Sequence, residues 1–170
     1  KMSKTIGNVI DPVEYCQKYS RDALVLYLFT AFPLGEDGDF NQEQAVLMYN
    51  AKLSNNLGNL LNRFIALSLK LGWDISGKIG MHEARFNEQE RVQRYNTLMD
   101  DYDLKWALEW AFEYAGEINK YVDDTAPWKI DATNRENEEE LQFILFIPVS
   151  NLRKVALMLL PFFPVKMNEL

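Results

Sequence analysis

Apolar residues recur every three or four positions across residues 42–71, and this periodicity constrains the fold more than any other feature of the chain. An α helix completes a turn about every 3.6 residues, so side chains at these steps lie on one face of a helix. The opposite face is rich in asparagine. The pattern therefore predicts one long helix with a single apolar face. The stripe consists of Tyr49, Leu53, Leu57, Leu60, Phe64, Leu67 and Leu71.

A second apolar stripe of the same kind spans residues 103–124. The pair Ala126-Pro127 is expected to end that helix and to place Trp128 on the loop that follows. Pro148 is expected to kink or interrupt the last helix, because proline cannot donate the helical hydrogen bond. Further helices are predicted over residues 12–19, 20–31, 88–100 and 135–160.

Residues 32–40 concentrate proline, glycine and aspartate between two predicted helices, which indicates a boundary. Few segments alternate as strands do, and the connections between helices are mostly short. The sequence therefore predicts a mainly α protein that forms an antiparallel helical bundle after residue 40. We divide it into residues 1–40 and an α-helical domain over residues 41–170.

Composition and charge exclude several classes of function. Although 48% of the residues are hydrophobic, no run approaches the roughly 18 to 20 apolar residues that cross a bilayer. We therefore expect a cytoplasmic protein with no membrane partner. A single cysteine, Cys16, and a single histidine, His82, argue against a metal site. The net charge of −7 argues against general nucleic-acid binding, so any contact with RNA must be local.

Two lysines, Lys1 and Lys4, lie three residues apart just before Gly7. Lysines in such a segment suit a reaction in which negative charge grows on a leaving phosphate, because they can stabilise the transition state more than the ground state. Taken alone, however, two lysines at a chain end are more often only solvated charge.

The surrounding residues closely resemble the lysine signature loop of class I aminoacyl-tRNA synthetases, with Thr5 where that loop usually has serine. The resemblance implies that Lys1 and Lys4 are catalytic and that Lys1, Met2, Ser3 and Lys4 bind ATP. Valine and isoleucine enzymes share much of this stretch, so the loop leaves the amino acid open. The matching segments are Lys1-Met2-Ser3-Lys4-Thr5 and Gly7-Asn8-Val9-Ile10-Asp11-Pro12.

Later segments resemble the methionyl-tRNA synthetases in order and spacing. The resemblance implies that residues 1–40 hold the signature loop and a stem-contact region, and that residues 41–170 form a class Ia anticodon-binding domain. The segments are Asp37-Gly38-Asp39-Phe40, Tyr49-Asn50-Ala51-Lys52-Leu53, Asn56-Leu57-Gly58-Asn59-Leu60-Leu61-Asn62-Arg63 and Ala126-Pro127-Trp128.

Asn59 and Arg63 lie four residues apart, hence on one helical face, beside Asn56 and away from the leucine stripe. Amide and guanidinium groups suit the edges of unstacked RNA bases, and Trp128 on a loop suits base stacking. Each residue alone is more simply a surface or packing residue. In the family, however, these residue types bind the CAU anticodon, which implies that role for Asn59, Arg63 and Trp128, with Pro127 fixing the tryptophan.

For the whole enzyme, the resemblance implies activation of methionine by ATP with Mg2+, followed by transfer to tRNA(Met). Because the chain begins with Lys1, we expect a catalytic domain upstream, and we expect the chain alone to hold no cofactor and not to aminoacylate. Two alternatives remain: a valyl- or isoleucyl-type synthetase, and a noncatalytic helical module that docks a protein. Trp106 and Trp110 are expected to pack on the bundle.

Overall fold

The computed structural model describes residues 9–71, 88–131 and 135–168, and every regular element in these ranges is helical. The prediction of a mainly α fold is therefore confirmed. The α helices are α1 Pro12–Tyr19, α2 Arg21–Ala31, α3 Gln42–Tyr49, α4 Asn59–Leu71, α5 Glu88–Asp100, α6 Leu104–Thr125, α7 Arg135–Leu159 and α8 Pro164–Asn168. A π-helical segment, Asn50–Gly58, joins α3 to α4, and a 3-10 turn, Pro127–Lys129, follows α6.

The first helices begin and end where the sequence provides caps. The carboxylate of Asp11 accepts hydrogen bonds from the backbone N–H of Val13 at 2.7 Å and Glu14 at 3.2 Å, which satisfies donors at the start of α1. Ser20 follows α1 and caps α2 through Ala23 N at 3.2 Å. The predicted helices over residues 12–19 and 20–31 are therefore present within one residue of their predicted bounds.

The predicted long helix over residues 42–71 is present as α3, the π-helical segment and α4 in direct succession. Its backbone stays helical at both junctions, with φ −64° and ψ −43° at Asn50 and φ −64° and ψ −40° at Asn59. Its apolar stripe is largely buried against α6 and α7 in the main core. The π-helical turns in the middle were not predicted.

Polar contacts between the long helix and α6 follow the same order along both elements. Lys52 pairs with Glu109, and Arg63 pairs with Asp123, so the two helices run in the same direction. The hairpins that α6 forms with α5 and α7 are antiparallel. The bundle is therefore antiparallel between sequence neighbours, as predicted.

α7 continues through Pro148 to Leu159, so the proline does not interrupt the helix, and the other half of the prediction, a kink at this position, stays a prediction. An internal proline costs roughly 3 kcal/mol because it removes a hydrogen bond and crowds the preceding turn. Buried side chains on both sides of it, such as Leu145 and Val155, pack in the main core and offset that cost. Over Glu139–Leu159 the helix is also long and apolar enough to span a bilayer, but here its apolar side packs along α6.

A second, aromatic core lies between α1, α2 and α3, around the buried Tyr27. The Tyr27 ring contacts Phe40 edge-on with centroids 4.8 Å apart, and its hydroxyl donates to Asp39 O at 3.2 Å and accepts from Asn41 N at 2.9 Å. These bonds hold residues 37–40 in place before α3 begins. The division of the chain at residue 40 remains a prediction, since both cores adjoin α2 and α3.

Candidate nucleic-acid interface

Asn59 and Arg63 lie on the outer face of α4, one turn apart. Leu60 and Phe64 on the other face are buried in the main core. Asn59 is exposed, and the Arg63 side chain retains 41% of its accessible surface. The predicted location of both residues, on one polar face away from the apolar stripe, is therefore confirmed.

Arg63 is anchored at its guanidinium by a residue far away in the sequence. Its Nη1 lies 2.8 Å from Oδ1 of Asp123, whose side chain is 54% exposed. The pair is open to solvent, so its contribution to stability is on the order of 0 to 1 kcal/mol. It restricts the orientation of the arginine, and the other nitrogen atoms of the guanidinium remain available as donors.

Trp128 lies on the 3-10 turn directly after α6. Ala126 ends α6 in the left-handed conformation, with φ 42° and ψ 56°, and its N–H bonds to Val122 O at 3.0 Å. Pro127 is buried at the first position of the turn, and the Lys129 N–H closes the turn on Ala126 O at 2.9 Å. A 3-10 helix has about three residues per turn, so with Pro127 inward the next two side chains point outward.

The indole of Trp128 is accordingly 44% exposed, and Lys129 beside it is exposed. The predicted placement of Trp128 just beyond the helix end is confirmed. Because Asp123 precedes Trp128 by five residues, the pairing of Arg63 with Asp123 brings the outer face of α4 to the end of α6 that carries the tryptophan. We call the exposed surface of Asn59, Arg63, Trp128 and Lys129 the polar end face.

Asn56, which the sequence pattern grouped with this face, forms hydrogen bonds to α6 within the fold. Its Nδ2 donates to Phe112 O at 3.1 Å, and its Oδ1 and backbone oxygen accept from Asn119 Nδ2 at 2.7 and 3.0 Å. Asn119 also donates to Ala115 O at 3.3 Å. Both asparagines are half-buried. Asn56 therefore clamps the long helix to α6. This contact could not be predicted, because a partner as distant in the sequence as Asn119 leaves no signal in a local pattern.

The two tryptophans of α6 differ in their surroundings. Trp110 is half-buried, packs on the main core and donates from its indole N–H to Arg91 O at 3.1 Å, as a packing role predicts. Trp106 is 55% exposed, so the expectation of a core position is wrong for this residue, whereas a position on the surface of the bundle agrees with the prediction that it packs on or covers the helices. It lies in the first turn of α6.

Several predicted residues lie outside the part of the chain that the structure describes. They include all four residues assigned to ATP binding, Lys1, Met2, Ser3 and Lys4, as well as His82. Cys16 is half-buried on α1. Among the residues described, no group of three or more histidine, cysteine, aspartate or glutamate side chains is placed to hold a metal ion.

Comparison with known proteins gives a consistent result over the whole chain. Residues 1–65 match the family described as tRNA synthetases class I (M). The methionine–tRNA ligase of Bacillus subtilis strain 168 is 37% identical over 99% of this chain and 27% of its own length. The ligase of Thermotoga maritima is 35% identical over 99% of this chain and 27% of its own length.

A solved structure extends the comparison to the fold. The methionyl-tRNA synthetase of Mycobacterium tuberculosis, in complex with methionyl-adenylate, superposes with a TM-score of 0.82 at 25% identity. The match covers 99% of this chain and 34% of that chain. The chain thus spans about a quarter of the length of the curated relatives it matches.

Proposed function

Because this chain belongs to the methionyl-tRNA synthetase family of class I aminoacyl-tRNA synthetases, we propose that its polar end face binds the CAU anticodon of tRNA(Met). The observation that supports the proposal is the pairing of Arg63 with Asp123, which brings the face of α4 that carries Asn59 and Arg63 to the end of α6 that precedes Trp128. Asn59 and Trp128 are exposed, and Arg63 is partly exposed. Surface residues without a common role are not expected to lie together at one end of a helix.

Each side chain on this face has a distinct role in the proposal. The Asn59 amide offers a donor and an acceptor to a base edge, and Arg63 offers a planar fork of donors. Trp128 stacks one base, which contributes on the order of 1 to 3 kcal/mol. Pro127, which is buried at the start of the turn, fixes the tryptophan in its outward position.

The acidic character of the chain agrees with a local contact. The net charge is −7, and Asp123 and Asp124 are exposed near the end face, so nonspecific attraction to phosphates is weak. Lys129, next to Trp128, is exposed and supplies positive charge at this site. Affinity in the proposal comes from stacking and base-edge hydrogen bonds rather than from a broad positive potential.

We further propose that Lys1 and Lys4 act in methionine activation by the complete enzyme, with Met2 and Ser3 helping to bind ATP. The methionine carboxylate attacks the α-phosphorus of ATP and pyrophosphate leaves; a hydroxyl at the 3′ end of tRNA(Met) then attacks the methionyl carbonyl of the adenylate, and AMP leaves. Mg2+ accompanies ATP as its counterion. The lysines stabilise the charge that grows on the leaving pyrophosphate.

This second proposal has its own test. Alanine in place of Lys1 or Lys4 is expected to slow methionine-dependent pyrophosphate exchange strongly and to leave binding of an anticodon stem-loop unchanged, since the interaction strengthens in the transition state. Unchanged exchange would remove both residues from the mechanism. We also expect a cytoplasmic location, residues 1–40 as the loop and stem-contact region, and no aminoacylation by the chain without a catalytic domain.

The anticodon proposal is tested by binding of the protein to a labelled stem-loop with the CAU anticodon and to loops with one base changed at a time. We expect CAU to bind best and Trp128→Ala to reduce that preference about tenfold or more, because about 1.4 kcal/mol corresponds to a factor of ten. Trp106→Ala is a matched control, since this exposed tryptophan lies at the other end of α6.

The result also decides among the alternatives. A preference for a valine or isoleucine anticodon would move the protein to a sister enzyme. The exposed Trp106 and Tyr102 favour a second candidate function, docking of a protein partner through the start of α6. If no loop is preferred at low salt and Trp106→Ala abolishes binding to a protein partner, the docking function replaces the anticodon proposal.

A further inference from the structure

The rotation of α4 about its own axis depends on the π-helical segment before it. In a π helix the hydrogen bonds run from residue i to i+5, so each turn holds more residues than an α-helical turn. The direction of a side chain on α4 therefore depends on how many of the preceding residues adopt π geometry. This segment spans nine residues, Asn50–Gly58, and ends immediately before Asn59.

Asn119 of α6 holds the last turn of this segment. Its Nδ2 donates to both the Oδ1 and the backbone oxygen of Asn56, at 2.7 and 3.0 Å, and in turn the Asn56 amide donates to Phe112 O at 3.1 Å. A bond to the backbone oxygen fixes the path of the main chain as well as the side chain. Asn56 precedes Asn59 by three residues and Arg63 by seven, so both lie within two turns of the clamp.

We propose that Asn119 is a positioning residue that sets the rotation of α4 and thereby directs Asn59 and Arg63 toward the anticodon. The inference rests on the proposed anticodon function and adds to it a residue that does not contact RNA. Asn119 acts through Asn56 and the π-helical segment.

The other polar contacts between the two helices are less suited to this role. Lys52 bonds to Glu109 at 2.5 Å, but it lies one turn before Asn56, so most of the π-helical segment separates it from α4. The Arg63 pair with Asp123 is half-exposed and includes the arginine that the proposal assigns to the RNA. The Asn119 clamp is half-buried and adjoins the start of α4, so it constrains rotation most directly.

The experiment compares Asn119→Ala and Asn119→Asp with the unchanged protein in binding to CAU and singly altered stem-loops. Both variants are expected to lose the preference for CAU by about tenfold, because neither can donate to Asn56. The salt dependence of binding is expected to stay the same, since no phosphate contact is removed. Aspartate has nearly the same size as asparagine but cannot donate. A loss of the CAU preference in Asn119→Asp would therefore indicate that the preference depends on hydrogen-bond donation by residue 119.

Two controls separate positioning from a general loss of stability. Val155→Ala removes buried contacts in α7, and Asn96→Ala alters an exposed asparagine on α5; both are expected to keep the CAU preference. Amide hydrogen exchange provides a readout that is independent of RNA, and Asn119→Ala is expected to accelerate exchange in α4 more than in α7. Asn119→Gln, which keeps the donor, is expected to restore part of the preference.

The outcomes distinguish this inference from the function on which it rests. If the unchanged protein prefers CAU and Asn119→Ala keeps that preference, the positioning role is overturned and the anticodon function stands. If the unchanged protein has no preference, the anticodon function fails and the role of Asn119 in it fails as well. If Val155→Ala loses the preference to the same degree as Asn119→Ala, the effect is one of stability and the inference is wrong.

Discussion

Arg63 illustrates how a single surface residue acquires a defined orientation. Its guanidinium is held at one nitrogen by Asp123, 60 positions away in the sequence, and the side chain remains 41% exposed. Guanidinium presents a rigid, planar set of donors, whereas the ammonium group of lysine is a compact charge on a flexible stem. If Arg63 binds the anticodon as proposed, the geometry of this pair matters for recognition, while an exposed pair contributes little to the free energy of unfolding.

We expect Arg63→Lys to reduce the preference for CAU about tenfold, since a bidentate contact to a base contributes roughly 1 to 3 kcal/mol of discrimination. The charge is conserved, so the slope of affinity against salt is expected to remain unchanged. Binding to the same set of stem-loops at several salt concentrations measures both quantities.

Arg153→Lys on the exposed face of α7 is the matched control and is expected to alter neither quantity. If Arg63→Lys keeps the full preference for CAU, the proposed base contact by this side chain is contradicted. Arg63 would then contribute to binding only through its charge.

Residue positions were predictable from the sequence where periodicity alone decides them. The step of four from Asn59 to Arg63 placed both on one face, and Ala126-Pro127 placed Trp128 beyond a helix end. The partners Asp123 and Asn119 were not predictable, because a hydrogen bond between residues about 60 positions apart depends on tertiary packing that no local pattern encodes.

At the scale of elements, the π-helical segment left a signal in the spacing of apolar residues. Ala45, Tyr49, Leu53 and Leu57 are four apart and all lie at least partly buried, and from Leu57 onward the steps alternate between three and four. A repeated step of four exceeds the α-helical period of about 3.6 and suits a wider turn. The long helix could be predicted from this stripe, whereas its π-helical turns are indicated only by the repeated step of four.

The connection between α2 and α3 depends on a close approach of Gly38 to Phe32. A Cβ atom at position 38 would overlap the Phe32 ring, so the ring must move if any side chain is added. Phe32 in turn packs edge-on against Tyr27, with ring centroids 5.8 Å apart. Displacing Phe32 therefore disturbs the aromatic core.

We expect Gly38→Ala to lower the free energy of unfolding by about 1 to 3 kcal/mol, the usual cost of overpacking. Gly116→Ala is the matched control, because a Cβ at this helical position meets nothing within 4 Å. This control is expected to raise stability by about 0.5 to 1 kcal/mol, since alanine favours the helix over glycine. Urea unfolding of the three proteins gives the comparison, and equal stabilities for both variants would contradict the proposed contact.

At the scale of the whole molecule, the core couples folding to the ionisation of buried tyrosines. Tyr95 on α5 is 7% exposed and donates to Met158 O on α7 at 2.5 Å, and Tyr114 on α6 donates to Asn151 Oδ1 on α7. These two tyrosines thus link α7 to α5 and to α6 through hydrogen bonds. The sequence indicated amphipathic helices, but it did not indicate which tyrosines are internal, because Tyr102 stands beside the same helices and is exposed.

Burial raises the pKa of Tyr95 and of Tyr114 from 10.0 to about 12, and for Tyr114 the nearby Arg91 opposes this increase in part. A phenol with a raised pKa in the folded state stabilises the fold below pH 10, and this contribution is lost as the pH rises from 10 toward 12. Each tyrosine then reduces the free energy of unfolding by about 1.4 kcal/mol for each pH unit in that interval.

We therefore expect the protein to unfold cooperatively between pH 10 and 12, with these two of its eight tyrosines ionising only as the helices melt. Phenolate absorbance and far-ultraviolet circular dichroism, recorded in one titration, measure the two events together. Tyr95→Phe is expected to make the loss of stability with pH less steep, whereas Tyr102→Phe removes an exposed hydroxyl and is expected to leave it unchanged. Complete ionisation of all tyrosines below pH 11 with the helical signal intact would contradict the buried links and, with them, the packing of α7 against α5 and α6.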